Sequence, residues 1–179
     1  MNYLRNVISS IYLMMFFYIK KSRLKKPLSI LKPRHITIGK NVYIYKGARI
    51  ECYEEGCPSL NIGNDVIIGY TFTCLVADRV TIGDNSIFAS NVSIISENHG
   101  MDPTIGCYYK QPLIHSPISI GRGCWIGQNV TVLPGVTLGD NVIVGAGSIV
   151  TSSFPSNVII AGSPAKVIKR FNFEQKKWV

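Results

Sequence analysis

Small or aliphatic residues recur at every sixth position over most of this chain, and no other feature restricts the fold as tightly. One run is Ile36, Val42 and Ala48; the register restarts at Leu60, Val66 and Phe72, and again at Val80, Ser86 and Val92. The longest run is Ile118, Cys124, Val130, Val136, Val142 and Ser148. Glycine or alanine stands three positions after many of these, at Gly39, Gly63, Gly69, Gly83, Ala89, Gly121, Gly127, Gly139 and Gly145. Six residues make one short strand and one tight corner. Three such units close a triangular coil of about eighteen residues, whose register residue points into a narrow interior. The corner glycines and asparagines tolerate positive φ, as in the Ile-Gly-Asp-Asn stretch 82–85. Successive coils then pair as parallel strands, each covering its neighbour's edge. The expectation is a mainly β chain: a parallel β-helix of about five triangular coils between residues 36 and 153. A β-sandwich, with strands about 8–12 residues apart, does not hold a period of six over so many units.

Composition narrows the function. Apolar residues make up 46% of the 179, well above a disordered composition. The five cysteines (52, 57, 74, 107 and 124) form no Cys-x-x-Cys pair, so they read as reduced thiols, not a disulfide framework or zinc site. The net charge of +9 is concentrated at the ends: residues 1–34 hold eight bases and no acid, residues 35–165 are net −3, and residues 166–179 are net +4. A mildly acidic body lacks the basic folded face of a nucleic-acid-binding domain.

The register breaks where chemistry is expected. Val92 and Ile118 are 26 residues apart, two more than four steps of six, and the intervening ENHGMDPTIGCYYKQPLIHSP lacks aliphatic spacing. It reads as an excursion loop, about 96–117, thrown out from a rigid scaffold, the usual seat of binding and catalysis. His99 stands at its base. Neutral imidazole, with a reference pKa of about 6.5, suits a general base near neutral pH. His115, at the loop's exit, reads as structural or substrate-lining, and His35 as incidental. The three histidines lack the spacing of a metal-dependent hydratase on such a coil, and no metal site is expected.

The stretches VTIGDN at 80–85 and ISIGRGCWIGQNVTVLPGVTLGDNVIVGAGSIVTSSFPSNVIIAGSPAKVIKR at 118–170, with the His99 loop between them, resemble the hexapeptide-repeat acyltransferases. The similarity is to the branch of maltose, galactoside and surface-polysaccharide O-acetyltransferases. The resemblance implies a left-handed coil, a homotrimer with active sites between subunits, and acetyl-CoA as cosubstrate. It makes His99 the base that accepts the acceptor's hydroxyl proton and later protonates the departing thiolate. Glu97 or Asp102 would orient the imidazole or contact the acceptor, beside Asn98. On the donor side it implies Trp125, either beside the cofactor or capping a coil edge, with Gly127, Ala146 and Gly147 along the pantetheine arm. Thr151, Ser152, Lys166 and Lys169 would lie near the nucleotide. Lysine is frequent in the family at Ser152's position, which puts a phosphate contact in doubt.

The acceptor side departs from the pattern. Where the sugar enzymes carry an asparagine, residues 70–73 read YTFT, with Thr71 the nearest polar candidate. The chain therefore divides into an apolar and basic N-terminal helical arm with linker (1–34), the β-helix (35–160) and a C-terminal tail (161–179). The thirteen-residue segment VISSIYLMMFFYI at 7–19 is shorter than the roughly 20 residues of a membrane-spanning helix. Followed by KKSRLKKP, it suits an arm lying on an anionic membrane surface through residues 1–26, or one docked on the body or a neighbouring subunit. The expected activity is O-acetylation of a polysaccharide or lipid-linked glycan, in the cytoplasm or at the inner face of its membrane. N-acetylation of an amino sugar, or another small acceptor, is the alternative.

Overall fold

The computed structural model describes residues 21–53 and 58–179. The expected N-terminal helix falls on residues outside those described, as does Cys57. The chain winds as a parallel β-solenoid with three faces. The first face stacks Arg23–Leu24, Tyr43–Ile44, Ile67–Ile68, Ile87–Phe88, Trp125–Ile126, Ile143–Val144 and Val158–Gly162. The second stacks Ser29–Leu31, Arg49–Cys52, Thr73–Val76, Ser93–Ile95, Thr131–Val132 and Ile149–Val150. The third stacks Ile36–Ile38, Leu60–Ile62, Val80–Ile82, Ile118–Ile120 and Thr137–Leu138, with Phe154 bridged to Leu138.

Six turns are complete and Val158–Gly162 opens a seventh, against about five expected from the register. The difference lies at the N-terminal end. Arg23–Leu24 already pairs with Tyr43–Ile44, and Ser29–Leu31 with Arg49–Cys52, so the segment assigned to a linker is the first turn. Its period is hidden because Ser22 occupies an inward position. The Ser22 hydroxyl donates to Gly39 O (3.1 Å) and accepts from Val42 N (2.9 Å). At the other end the tail is a β-structure: Ala165–Asn172 folds back antiparallel on Val158–Gly162, and Lys177–Trp178 pairs with it in turn. This hairpin covers the last strand's open edge, which would otherwise invite pairing with another chain.

Every register residue from Ile36 to Ser148 is buried, and so is the residue two positions on in nearly every unit. Serine is tolerated in the register where a corner supplies partners: Ser86 Oγ donates to Gly121 O and accepts from Cys124 N, both at 3.1 Å. The corner glycines have a different cause from the one expected. Left-handed φ falls on the residue before each register position of the first and second faces: Asn41, Asp65, Asn85, Gly123, Asn141 and Asn157 at the corner between third and first faces. Gly47, Thr71, Asn91, Asn129 and Gly147 do the same between first and second faces. The glycines three positions into the unit are needed instead for close stacking. A Cβ on Gly121 would fall 2.4 Å from Gly139 O, and one on Gly39 2.3 Å from Gly63 O.

Longer connections leave the coil at the remaining corner, between second and third faces. They lie between Leu31 and Ile36 in turn one, Cys52 and Leu60 in turn two, Val76 and Val80 in turn three, and Ile95 and Ile118 in turn four. Turn six has none, and Phe154 follows only 16 residues after its partner Leu138. Turn five closes tightly there through Gly135, with φ of 82°.

Candidate active site

The excursion loop is a rooted hairpin. Glu97–His99 pairs antiparallel with Leu113–His115, joining Glu97 to His115 and His99 to Leu113. Ser96, fully buried, fixes its root. The Ser96 hydroxyl accepts from Ala77 N (2.9 Å) and Asp78 N (3.1 Å) and donates to Leu75 O (3.2 Å). Ser116 N donates to Ser96 O at 3.0 Å, closing the base. Gln111, only 6% exposed, pins the outer part. Its Oε1 accepts from Asp102 N (3.0 Å), and its Nε2 donates to Asp102 O (2.8 Å) and Ile105 O (3.2 Å). Gly100 lies against Gln111, where a Cβ would sit 2.7 Å from the glutamine's Cβ.

On this frame His99 is exposed, and its ring has no side-chain partner among the described residues. Asn98 is exposed beside it and Glu97 is half-buried. Asp102 does not reach the imidazole: its Oδ1 accepts from Thr104 N (2.8 Å) and Thr104 Oγ1 (2.7 Å), and these bonds hold its carboxyl below the usual range. His115 lies at the hairpin's exit with Nδ1 3.1 Å from Asp78 Oδ2. Burial opposes ionisation of Asp78, but His115 and the Arg79 amide outweigh it and the carboxyl stays below its ordinary value. The imidazole of His115 is thus engaged by Asp78, while that of His99 has no such partner among the described residues. Arg34 Nε donates to His35 Nε2 (3.2 Å) in a surface bend of turn one, on the same corner as the loop but three levels from it.

The residues expected at the donor site fall into two groups. Trp125, 54% exposed, projects from the first face between Ile87 and Ile143. Gly127, Ala146 and Gly147 follow at the corner between first and second faces. A Cβ on Gly127 would lie 2.6 Å from Ala146 N, so coil stacking by itself requires glycine there, whereas Gly147 faces open space. Lys166 and Lys169, both exposed, continue this edge, paired to Ala161 and Ile159. Thr71 lies on the same corner, with a φ of 53° and its hydroxyl donating to Asn91 Oδ1. Thr151 and Ser152, both exposed, sit at the opposite edge of the second face, on the corner that carries the His99 loop. One chain therefore brings His99 together with Thr151 and Ser152 on one edge, and Trp125 with Gly127, Ala146 and Gly147 on another.

Ser96 and Gln111 escape a reading by residue type, because their partners are backbone atoms fixed by the fold. The one signal was the position of Ser96 at the point where the register breaks. Among the described residues no group of three or more His, Cys, Asp or Glu side chains gathers as metal ligands. No helix among them is long and apolar enough to cross a membrane.

A parallel β-helix with a long loop rooted at one corner is an architecture that β-helical acyltransferases share, and the chain's relatives decide the class. Residues 117–152 match the bacterial transferase hexapeptide family (six repeats). The chain is 34% identical to the putative lipopolysaccharide biosynthesis O-acetyl transferase WbbJ of Escherichia coli K12, covering 96% of this chain and 90% of that protein. It is 35% identical to the galactoside O-acetyltransferase of the same organism, over 88% of this chain and 74% of that one. A crystal structure of a variant of AntD, an N-acyltransferase from Bacillus cereus, in complex with dTDP-4-amino-4,6-dideoxyglucose and coenzyme A, superposes with a TM-score of 0.70. Identity there is 25%, over 84% of this chain and 81% of that one. The chain belongs to the hexapeptide-repeat transferase family and is an acyltransferase.

Proposed function

We propose that this enzyme transfers an acetyl group from acetyl-CoA to a saccharide hydroxyl, with His99 as general base. The observation that carries the reading is the state of His99: exposed, unpartnered and held on a hairpin anchored by Ser96 and Gln111. The neutral imidazole takes the hydroxyl proton as the oxygen attacks the thioester carbonyl, and the resulting imidazolium returns it to the thiolate as the C–S bond breaks. No covalent enzyme intermediate forms. Relatives named as O-acetyltransferases of lipopolysaccharide biosynthesis and of galactoside support a saccharide acceptor. A surface-polysaccharide or lipid-linked glycan fits the chain better than a free disaccharide, because residues 70–73 lack the asparagine of the sugar enzymes.

The donor runs past Trp125 and along Gly127, Ala146 and Gly147 towards Lys166 and Lys169; the coenzyme A in the AntD complex supports this ligand class. Because these residues and His99 lie on different edges of one coil, a complete site needs a second copy, in keeping with a homotrimer. Met101, Ile105, Tyr108 and Tyr109 project exposed from the loop, apolar surface that such a neighbour would cover. Residues 1–26 bring the enzyme to the inner face of the cytoplasmic membrane. The dTDP-amino-sugar complex of AntD supports N-acylation of an amino sugar as the second reading.

The test is thiol release from acetyl-CoA across saccharides, amino sugars and lipid-linked glycans, with His99→Ala alongside. Loss of the base lowers the rate about 10²–10⁴-fold. A His99→Ala enzyme that releases coenzyme A at the wild-type rate, with a verified acceptor, sinks the mechanism. If removing residues 1–20, which leaves the first turn intact, leaves partitioning onto anionic vesicles unchanged, the arm packs on protein instead.

A further inference from the structure

Aromatic and cationic side chains collect at the corner between first and second faces in the first three turns, whereas residues 89–91, 127–129 and 145–147 at the same corner of turns four to six are small or uncharged. The third position after the register residue there is Gly69, Ala89, Gly127 and Gly145 in turns three to six, but Tyr45 in turn two and Lys25 in turn one. The Tyr45 ring lies 4.7 Å from that of Tyr43 and 4.8 Å from that of Tyr70. Lys25 Nζ stands 5.3 Å from the centre of the Tyr43 ring, and Lys46 Nζ 6.0 Å from that of Tyr70. Stacked corners hold the set together: Gly47 N donates to Lys26 O (3.0 Å) and Thr71 N to Lys46 O (3.1 Å). None of the three rings contributes to the coil's interior, and Tyr70 is 43% exposed. Packing of the solenoid gives no reason for them.

The charge is equally one-sided. Residues 21–50 hold nine bases and no acid. Among the described residues neither Lys25 nor Lys46 forms an ion pair with a carboxylate. The Lys25 ammonium instead hydrogen-bonds Tyr43 beside its ring, and that of Lys46 lies by the Tyr70 ring, neutral partners that leave both charges available to a ligand.

We propose that this corner is a subsite for a phosphate-bearing saccharide, with a sugar ring laid on Tyr45 and Tyr70 and the phosphate held by Lys25 and Lys46. The apolar C–H face of a sugar ring matches the face of an exposed tyrosine, and ammonium groups serve phosphate as point charges. The inference rests on the acetyl-transfer reading and gives its acceptor a chemical class. The levels agree along the coil axis. The His99 hairpin leaves turn four, the donor residues occupy turns five to seven, and the tyrosines occupy turns two and three. With strands stacked about 4.8 Å apart, Tyr70 and Tyr45 lie roughly 5–10 Å along the coil axis from the level of the His99 hairpin, on the side away from the donor. Since that hairpin leaves another edge of the same chain, it is a second copy's hairpin that this corner faces. The axial distance is one or two sugar units, so a phosphate so placed from the reacting hydroxyl meets the lysines.

The experiment compares α-galactose 1-phosphate with methyl α-galactoside by NMR titration, in the wild-type enzyme and in Lys25→Gln/Lys46→Gln, Tyr45→Ala and Tyr45→Phe variants of matched thermal stability. The wild type is expected to bind the phosphorylated sugar at least about tenfold more tightly, a margin typical of one or two charged hydrogen bonds. The double lysine variant loses that preference, Tyr45→Ala weakens both sugars, and Tyr45→Phe restores them. Equal binding of the two sugars by the wild type overturns the proposal, as does a preference that survives loss of both lysines. So does a double variant that keeps the sugar preference but dissociates from phosphatidylglycerol vesicles, since the corner would then face lipid. No acetyl-CoA enters the titration, so its failure is distinct from a failure of the His99 mechanism, which thiol release reads separately.

Discussion

Replacing Gln111 with alanine separates the order of the loop from the stability of the coil. The side chain is buried and makes three hydrogen bonds, all to backbone atoms of Asp102 and Ile105. Each such bond contributes about 0.5–1.5 kcal/mol net, and one side chain's ordering entropy is shared among them. The loop's closed state therefore loses roughly 2–3 kcal/mol, about a 30- to 150-fold shift in its opening equilibrium. None of the bonds touches the solenoid, so the global melting temperature stays within about 2 °C of the wild type. Native-state hydrogen exchange is the assay. The Asp102 amide, which donates to Gln111, and the Ile105 amide are expected to exchange 30- to 150-fold faster, with those of Ile120 and Ile126 unchanged. Gln111→Glu keeps an acceptor but sets its carboxylate against the Asp102 and Ile105 carbonyls, so it rescues nothing. Turnover falls with loop order, because His99 sits on the hairpin this pin closes. Wild-type exchange at Asp102 in Gln111→Ala would refute the assignment of Gln111 as the pin.

Three further outcomes follow from the same coordinates. Gly121→Ala pushes a Cβ to 2.4 Å from Gly139 O, a clash with rigid backbone that costs about 1–3 kcal/mol, and calorimetry reads it as a drop of roughly 3–10 °C. The Arg49 guanidinium, 2.6 Å from Glu51, holds that carboxyl below the usual glutamate range against the opposing effect of burial. Because the folded value is the lower one, the pair's stability is present above about pH 4.3 and fades as pH falls through the folded value. Arg49→Met should flatten that acid limb in denaturant titrations, only slightly, because solvent screens the exposed arginine. Burial pushes the Cys52 thiol up to about 11 and raises those of Cys74 and Cys124, so peptide mapping after alkylation at pH 8 should find Cys107, half-buried in the loop, labelled first among these four.

The coil was legible because its interior is narrow. A site that admits only small or aliphatic side chains writes its period into the sequence, and every residue of the Ile36–Ser148 register proved buried. The first turn was not legible, since Ser22 satisfies its hydroxyl against Gly39 and Val42 and so passes for a polar linker residue. The glycines were placed correctly and explained wrongly: their need is the approach of the next turn's backbone, a distance no single repeat discloses. The loop announced itself by two surplus residues, but its internal order did not. Gln111 and Ser96 bind backbone groups of segments whose path the side-chain pattern does not encode. The spread of site residues over two edges was equally hidden, because a linear repeat does not say which corner a residue turns.

The corner where turns one to four lengthen acts as a seam in an otherwise rigid spool. The other two corners are locked at each level by left-handed residues such as Asn85 and Asn91, so extra residues there would shift every strand above. At the seam, added chain loops outward and the winding resumes in phase, as it does across the hairpin from Ile95 to Ile118. Substrate preference can therefore change by insertion at the seam while the winding that carries Trp125 and Gly147 stays fixed. Gly135, where turn five closes tightly, is the vacant slot: a grafted loop there would stand one rung, about 4.8 Å, above His99's own. The fold thus offers each level of the active site a separately adjustable wall.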